Sequence, residues 1–515
     1  MTNKKNSAGT VGFIFIAMLM AKVLGQVREM VIASTYGTAW QADAYVAASQ
    51  IPTNFFDMIL GSAVSAAFIP VFNKFLEKDG ETRAKKFAGT FFNDVFVLSA
   101  LISLLGMIFA PQIISILTPN LEPQAATLAI KLLRIMFPMI IFIGSAFTFV
   151  GLLQSMGEYN LPAIMSMVSS LVCIVYLFTL EGKFGITGLA VSLVIGWFLQ
   201  FAILMPSTIK KGFRFNLKLY DKGIPEVVKL ALPVLIGTWV QPVNVLVNTR
   251  IASSVDGGVS AINYSNKLYL IAAGVFAMAL TNYIFPKLSR LSVDEKNREN
   301  WFEVFFSSLK TVVLVVTPIA MVFIVQSKDI IRVIYQRGEF DEKSVIACGG
   351  ALFYYSLGIL SFSLQEIFYK SFYSLRKVLL PMVIAFTGIA VNLVLSIVLS
   401  PFMGINGLAL AASVSVTITA TVSFLIIAHN SKRLLNFVLF LFKNLLLGAL
   451  SGIVIMLVKN ILPISCDSFI GKALNLCIPA FAGLIAYLIL LVVFKTPELT
   501  NLLKSFLKKG AKNEQ

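Results

Sequence analysis

The chain has 515 residues, of which 57% are apolar and only 13% charged, with 43 phenylalanines and a net charge of +17. A soluble domain carries about a quarter charged residues, so a soluble enzyme or a soluble binding module is excluded. In a soluble chain +17 would suggest nucleic acid; here the placement of the charge has to be read first.

Lys4 and Lys5 precede an apolar stretch in the manner of a signal peptide. No small-residue cleavage site stands before the charged Arg28-Glu29 pair, so the stretch reads as a retained first helix. A bilayer core needs about 20 apolar residues per helix, and windows bounded by charges, Pro or Gly then give fourteen candidate spans. They run at roughly 9–34, 42–72, 87–110, 124–155, 161–181, 184–208, 224–252, 260–286, 301–327, 345–371, 378–400, 404–429, 434–460 and 470–494. The expected fold is an all-α polytopic membrane protein.

Basic residues sort by side. Even-numbered connections carry Lys74, Lys78, Arg83, Lys85 and Lys86, then Lys210, Lys211, Arg214, Lys218 and Lys222, and the later even ones continue the pattern. Most odd-numbered connections carry one or none; 328–344 is the exception, its cations offset by Asp329, Glu339, Asp341 and Glu342. Positive residues stay cytoplasmic, which places both termini inside and turns the net charge into topology, with some attraction to anionic lipid. No nucleic-acid partner is implied.

An internal repeat organises the spans. Residues 160–192 and 379–411 align without gaps at an offset of 219, pairing Pro162 with Pro381 and "GITGLA" with "GINGLA". Twelve spans therefore form two six-helix lobes, 1–223 and 224–433, followed by two extra helices and a basic tail in 434–515. Because six is even, the lobes are parallel repeats about an axis along the membrane normal, an arrangement that suits a cavity opened alternately to each side.

Polar residues inside the spans are the candidates for function. On the first helix Lys22, Gln26 and Glu29 fall at i, i+4 and i+7, with Arg28 on the adjoining strip. A charge at the bilayer centre costs at least about 2.5–3.5 kcal/mol, so such a stripe faces a wet cavity or a partner helix. For Arg28 and Glu29 the alternative is snorkelling at the outer helix end; Lys22 lies deeper. The second lobe opens the same way, with Gln241, Asn244 and Asn248 at i, i+3 and i+7, and the next span places Lys267 among Asn263, Tyr264, Ser265 and Asn266. Ordinary interhelical hydrogen bonding is the competing account of the amides.

Glu366 and Lys370 have the i, i+4 spacing of a structural ion pair. His429 reads as a surface residue. The scattered Cys173, Cys348, Cys466 and Cys477 indicate neither disulfides nor a metal site. No HExxH, GxSxG or P-loop is present, so neither covalent catalysis, nor a bound cofactor, nor a built-in ATP engine is implied.

Against this background "VLGQVREMVIASTYGTAWQADAYVAASQIP" with "SAAFIPVF", "VNTRIASSVDGGVSAINYSNKLYLIAAGVFAMAL" and "IRVIYQRGEFDEKS" resemble the MurJ/MviN family, bacterial lipid II flippases of the multidrug/oligosaccharidyl-lipid/polysaccharide exporter superfamily. The resemblance covers nearly the whole chain. It implies two lobes around a cationic cavity and a groove for the lipid tail formed by the last two helices. Family arginines hold the diphosphate and sugar; Arg28 matches one, and Asp43 matches the family's acidic residue before an aromatic. Lys22 and Lys267 stand where the family has Arg, keeping the charge but not the bidentate fork. Another family arginine falls near Phe56 and Asp57 here. The family's sodium site is matched only by Asn392, with Ser396 and Ala412 elsewhere in the pattern.

The implied function is a flippase that carries the undecaprenyl-diphosphate-linked peptidoglycan precursor from the inner to the outer leaflet of the bacterial cell membrane. An exporter of another polyprenyl-linked glycan is the alternative, and a drug/cation antiporter a more distant one. The expected substrate-binding residues are Lys22, Arg28, Glu29, Asp43, Asn248 and Lys267. The partners are the lipid-linked glycan and membrane lipids, and the protein is expected to act as a monomer.

Overall fold

The computed structural model describes residues 4–216, 218–238, 240–377, 379–429, 431–462, 468–496 and 498; within its helices the side chains of 4–12, 15, 54, 55, 233, 236–238, 240–241 and 295 are outside the description. Gln241 and Asn54 are among those side chains, and Cys466 and the basic tail lie outside altogether. Every described element is a helix. Among the described residues, eleven helices are long and apolar enough to cross a membrane, or up to twelve if Glu342–Ser356 and Ile359–Ser374, bent by 48°, count as one span. The expected count of fourteen is not reached by that measure. The two further expected spans fall on Lys4–Tyr36 and on Ile224–Thr238 with Val240–Ala252, helices that contain undescribed side chains.

Two compact units divide the chain: Met1–Ser260 with Arg337–Phe340, and Ala261–Gln336 with Asp341–Gln515. In the first, Lys4–Tyr36 packs along Asn160–Thr179, and Trp40–Gln50 packs on Pro123–Met136. The second span is not a plain helix. Trp40–Gln50 passes into the wide turns Ile51–Phe56 and Val64–Phe68 before Ile69–Lys78. Pro52 has no N–H to continue the ladder, and the Thr53 hydroxyl covers the Ser49 carbonyl at 2.7 Å.

Rings fill the end of this unit that carries the basic loops. Phe68, Phe72, Phe87, Phe91, Phe92, Phe149 and Phe213 are all buried. Phe68 stacks on Phe91 with centroids 4.6 Å apart, and Phe92 on Phe149 at 5.2 Å; such pairs contribute about 0.5–1.5 kcal/mol each beyond their buried area. Phe213 brings the 211–223 connection into that core. The connection is then pinned by Arg83, whose two nitrogens donate to the Asp221 carboxylate at 2.8 and 2.6 Å, while Asp221 also accepts from the Gly223 amide.

The second unit contains most of Gly258–Leu291, then Arg298–Val325, Ser327–Tyr335, the bent pair, Leu379–Met403 and Ile405–Ala428. Leu434–Ile461 and Phe469–Val493 pack together and against Arg298–Val325. Their attachment is polar at both ends. Asp329, 3% exposed, takes Arg332 at 3.1 Å and also pairs with Lys459. At the far end Lys310 pairs with Glu498 at 2.7 Å. Between them Gly448 lies against Thr317, and Tyr487 donates to Asn444 at 3.2 Å.

The sequence repeat is a repeat of backbone. Gly185 of "GITGLA" has φ 54°, ψ −152°, and Gly404 of "GINGLA" has φ 56°, ψ −134°. Only glycine occupies this region readily, and each breaks the chain between two spans of its own unit.

Candidate functional site

Lys22 and Arg28 share the helix Lys4–Tyr36, where Lys22 is exposed and Arg28 partly covered. The Arg28 guanidinium donates to Glu29 at 2.9 Å, the two side chains being 25% and 10% exposed. Tyr45 and Cys173, from two other helices, are near enough to Arg28 to act on it electrostatically. The guanidinium Nε is buried without a partner among the described residues. The neighbouring carboxylate thus holds the guanidinium, whose Nε has no partner among the described residues. What results is a positive group with one donor to spare, a feature that suits an anionic partner.

Asp43 is placed differently. It is 2% exposed, in the first turn of Trp40–Gln50, and one oxygen accepts both the Ser260 amide at 2.7 Å and its hydroxyl at 2.6 Å. Its carboxyl therefore sits at the start of Gly258–Leu291, where backbone N–H groups without a partner in the helix seek an acceptor. Asn248 is 8% exposed, and beside it the Thr249 hydroxyl donates to Gln50 at 2.7 Å. These links join Trp40–Gln50 to Val240–Ala252 and to Ser260 within the first unit. Neither Gln50 nor Ser260 was signalled by the sequence; both look like unremarkable small or amide residues until their partners, some two hundred positions away, are known.

Lys267 is half-buried on Gly258–Leu291, in the second unit. The same helix presents Ser265, which donates to the Cys348 carbonyl at 2.8 Å, and Tyr264, whose ring is tilted by 42° against that of Tyr335 with centroids 5.2 Å apart. Glu366 and Lys370 interact electrostatically, and the Lys370 ammonium lies 5.6 Å from the Phe285 ring centre. Asn392 and Ser396, one turn apart on Leu379–Met403, are buried at 1% and 0%. The structure thus brings Arg28, Glu29 and Lys22 together on one helix and ties Asp43 and Asn248 into a hydrogen-bonded corner of the same unit, with Lys267 in the other unit.

The sequence model of the family described as "Lipid II flippase MurJ" matches residues 32–470. A "Probable lipid II flippase MurJ" of Rhizobium meliloti (strain 1021) is 27% identical over 419 residues, 79% of this chain and 78% of that protein. Its counterpart from Treponema pallidum (strain Nichols) is 28% identical over 410 residues, covering 77% of each chain. Among solved structures, "Lipid II flippase MurJ, inward closed conformation" superposes with a TM-score of 0.80 at 24% identity, covering 93% of this chain and 98% of that one. An inward-facing multidrug resistance transporter of the MATE family follows with a TM-score of 0.65 at 13% identity, covering 82% and 98%. The likeness to these two structures is one of fold.

Proposed function

The chain belongs to the lipid II flippase MurJ family, and from that premise we propose how its side chains move the undecaprenyl-diphosphate-linked peptidoglycan precursor from the inner to the outer leaflet. The carrying observation is Arg28, a guanidinium on the first helix, tethered to Glu29 yet holding a buried Nε free of partners among the described residues. Together with Lys22 and Lys267 it supplies the cations that hold the diphosphate. Glu29 orients Arg28. Asp43, through Ser260, and Asn248, beside Thr249, shape the corner against which the head group is bound.

The process is binding and movement, with no covalent bond made or broken. The repeat lobes 1–223 and 224–433, with 434–515 appended, rock about the midplane, and one chain suffices. Both termini are cytoplasmic. A head group with about two negative charges that leaves a negative interior gains roughly 2.3 kcal/mol per charge per 100 mV, or about 4.6 kcal/mol in all, provided the cations stay with the lobes. The membrane potential therefore drives export. Sodium contributes little, because Ser396 and Ala412 depart from the family's sodium ligands.

One experiment tests the reading directly. On depletion of the protein, the diphosphate-linked peptidoglycan precursor should accumulate on the inner leaflet and be cleared by the wild-type chain but not by Arg28→Ala. Lys267→Arg should clear it, since it restores the bidentate fork. Accumulation of a different polyprenyl-linked glycan would overturn the substrate assignment. Labelling of a single cysteine in 209–223 by an impermeant thiol reagent outside intact cells would overturn the orientation.

A further inference from the structure

Two basic connections lie together in the first unit, where the chain leaves Glu181–Lys210, and they use their charge differently. In 73–86 the cations are taken up by the fold: Lys74 pairs with Glu226 at 2.7 Å, Arg83 with Asp221 at 2.6 Å and Lys85 with Glu81 at 2.6 Å. In the later connection Lys210, Lys211, Arg214 and Lys222 enter no ion pair among the described residues, and Lys218 acts on Asp221 only at a distance.

The later connection is nevertheless held as a fixed surface. Phe213 is buried at its root, and the Arg214 carbonyl lies so close to Glu81–Ile108 that a Cβ on Gly89 would stand 2.9 Å from it. Asn93 donates to the Asn216 and Lys218 carbonyls, and the Lys218 amide donates to the Asn216 side chain at 3.0 Å. From this footing apolar side chains stand outward: Phe215 is 54% exposed, Leu219 60% and Tyr220 70%. Phe215 is braced edge-on by Phe213 and Phe92, with ring centres 5.1 and 5.4 Å away. Large apolar side chains kept in the open on a pinned backbone mark a surface for a partner.

We propose that this surface binds anionic phospholipid, with the unpaired cations on the lipid phosphates and Phe215, Leu219 and Tyr220 at the boundary of head groups and acyl chains. The location fits, because Lys210 ends a helix long and apolar enough to cross the bilayer, so the residues after it emerge at the membrane surface. The composition fits as well, since basic residues interleaved with aromatic and aliphatic ones bind an anionic interface through charge and buried apolar area together. A phospholipid leaflet presents both layers at that depth. Because the segment is fastened to the ring-filled core of its own unit, a lipid bound there stabilises that core along with the loop.

The proposal does not depend on the transported substrate. The test melts the purified full chain in neutral detergent micelles doped with phosphatidylglycerol or with phosphatidylcholine. Phosphatidylglycerol should raise the melting temperature and phosphatidylcholine should not, and about 0.5 M NaCl should remove most of the difference. K210Q, K211Q, R214Q, K218Q and K222Q should each raise the phosphatidylglycerol fraction needed for half the effect about fivefold. F215S with Y220S should weaken the response with every charge kept. A control carrying K287Q, R290Q and K296Q, in another basic connection, should retain all of it. These single substitutions leave the fold's own ion pairs intact, so the comparison survives if the combined variant fails to assemble. A wild-type response in the Gln variants, or an equal loss in the control, would overturn the proposal. So would equal stabilisation by inorganic phosphate, which would make the partner a soluble anion, or conversion of a self-associated form to monomers by the Gln substitutions, which would make it a second copy of the chain.

Discussion

The two repeats solve the same turn with different residues. In the first, Met139–Ser155 ends on Gly157 at φ +80°, whose amide bonds to the Gln154 carbonyl at 3.1 Å while that of Glu158 bonds to Leu153 at 2.8 Å. At the offset of 219, Ile359–Ser374 ends on Arg376 at φ +58°, with Arg376 bonded to Tyr373 at 3.0 Å and Lys377 to Phe372 at 2.9 Å. This is one helix stop, closed by paired backbone bonds around a left-handed residue, with glycine in one lobe and arginine in the other. The same offset sets Lys22 against Gln241, Arg28 against Val247 and Glu29 against Asn248. The lobes share a backbone plan and divide the chemistry, with the charged stripe on one side alone.

The largest expected effect tests that division. Arg28→Ala should cost about 1.5–3 kcal/mol of head-group binding, roughly 10- to 150-fold, measured as precursor transport in depleted cells, whereas Val247→Ala should leave transport near wild type. Equal losses at the two positions would mean that both helices serve packing and that the stripe has no special role.

The shared plan is tested at its glycines. Gly185→Ala and Gly404→Ala should each destabilise the protein by about 1–3 kcal/mol, because alanine is strained in that backbone region, and should lower the melting temperature in detergent. At Gly185 there is open space for the methyl group, so the loss would be conformational. A neutral substitution at either would show that the paired geometry is a coincidence of sequence.

A smaller difference separates the connections that follow each lobe. Partial burial pushes the Asp221 carboxyl up, but the Arg83 hydrogen bonds and the Gly223 amide outweigh it and hold the group below its usual value. A depressed carboxylate stabilises the fold above its unfolded-state pKa and loses that contribution as pH falls through the folded one. The melting temperature should therefore decline as pH drops below about 4, and Asp221→Asn should remove that part of the decline at a cost of about 1 kcal/mol at neutral pH. Arg433, at the end of the second lobe, forms an exposed pair at 2.6 Å with Glu299, in the first turn of Arg298–Val325. Glu299→Gln should change stability by less than about 0.5 kcal/mol. A larger effect there than at Asp221 would reverse the comparison.

The smallest change is at the helix stop. Arg376→Gly should relieve up to about 1 kcal/mol of left-handed strain, offset by the greater freedom glycine has when unfolded. A rise of a degree or two in melting temperature is expected. A clear fall would mean that the Arg376 side chain has a binding role of its own.

What could be read in the sequence follows from the range over which its signals act. Period and hydropathy are local, so the long helices from Glu81 to Met403 could be placed to within several residues, whereas the short helices Ala110–Leu117 and Ser327–Tyr335 were read as connections. The repeated "GITGLA" and "GINGLA" marked turns that the structure shows to be alike. The stripe of Lys22, Gln26 and Glu29, with Arg28 on the adjoining strip, was visible because helical spacing alone sets those positions on neighbouring faces. The pairs Asp43–Ser260, Gln50–Thr249, Arg83–Asp221 and Ser34–Glu339 were not. They join segments far apart in the chain, and nothing periodic marks either partner. The wide turns around Pro52 also escaped notice, since a proline in an apolar run reports a break but not which turn replaces it.

The way the last two helices are fastened has a bearing on how this protein can be shortened. Cutting after residue 433 would take Lys459 from Asp329, leaving it Arg332 alone, and would leave Lys310 without Glu498 and Thr317 without the covering of Gly448. A lysine such as Lys310 that loses its partner inside a span costs more than a lost contact. A truncated chain would thus be rejected at insertion or degraded before its transport could be assayed. Loss of activity after such a cut would reflect failed assembly, and the contribution of the appended helices to lipid handling has to be sought with substitutions that keep Asp329 and Lys310 satisfied.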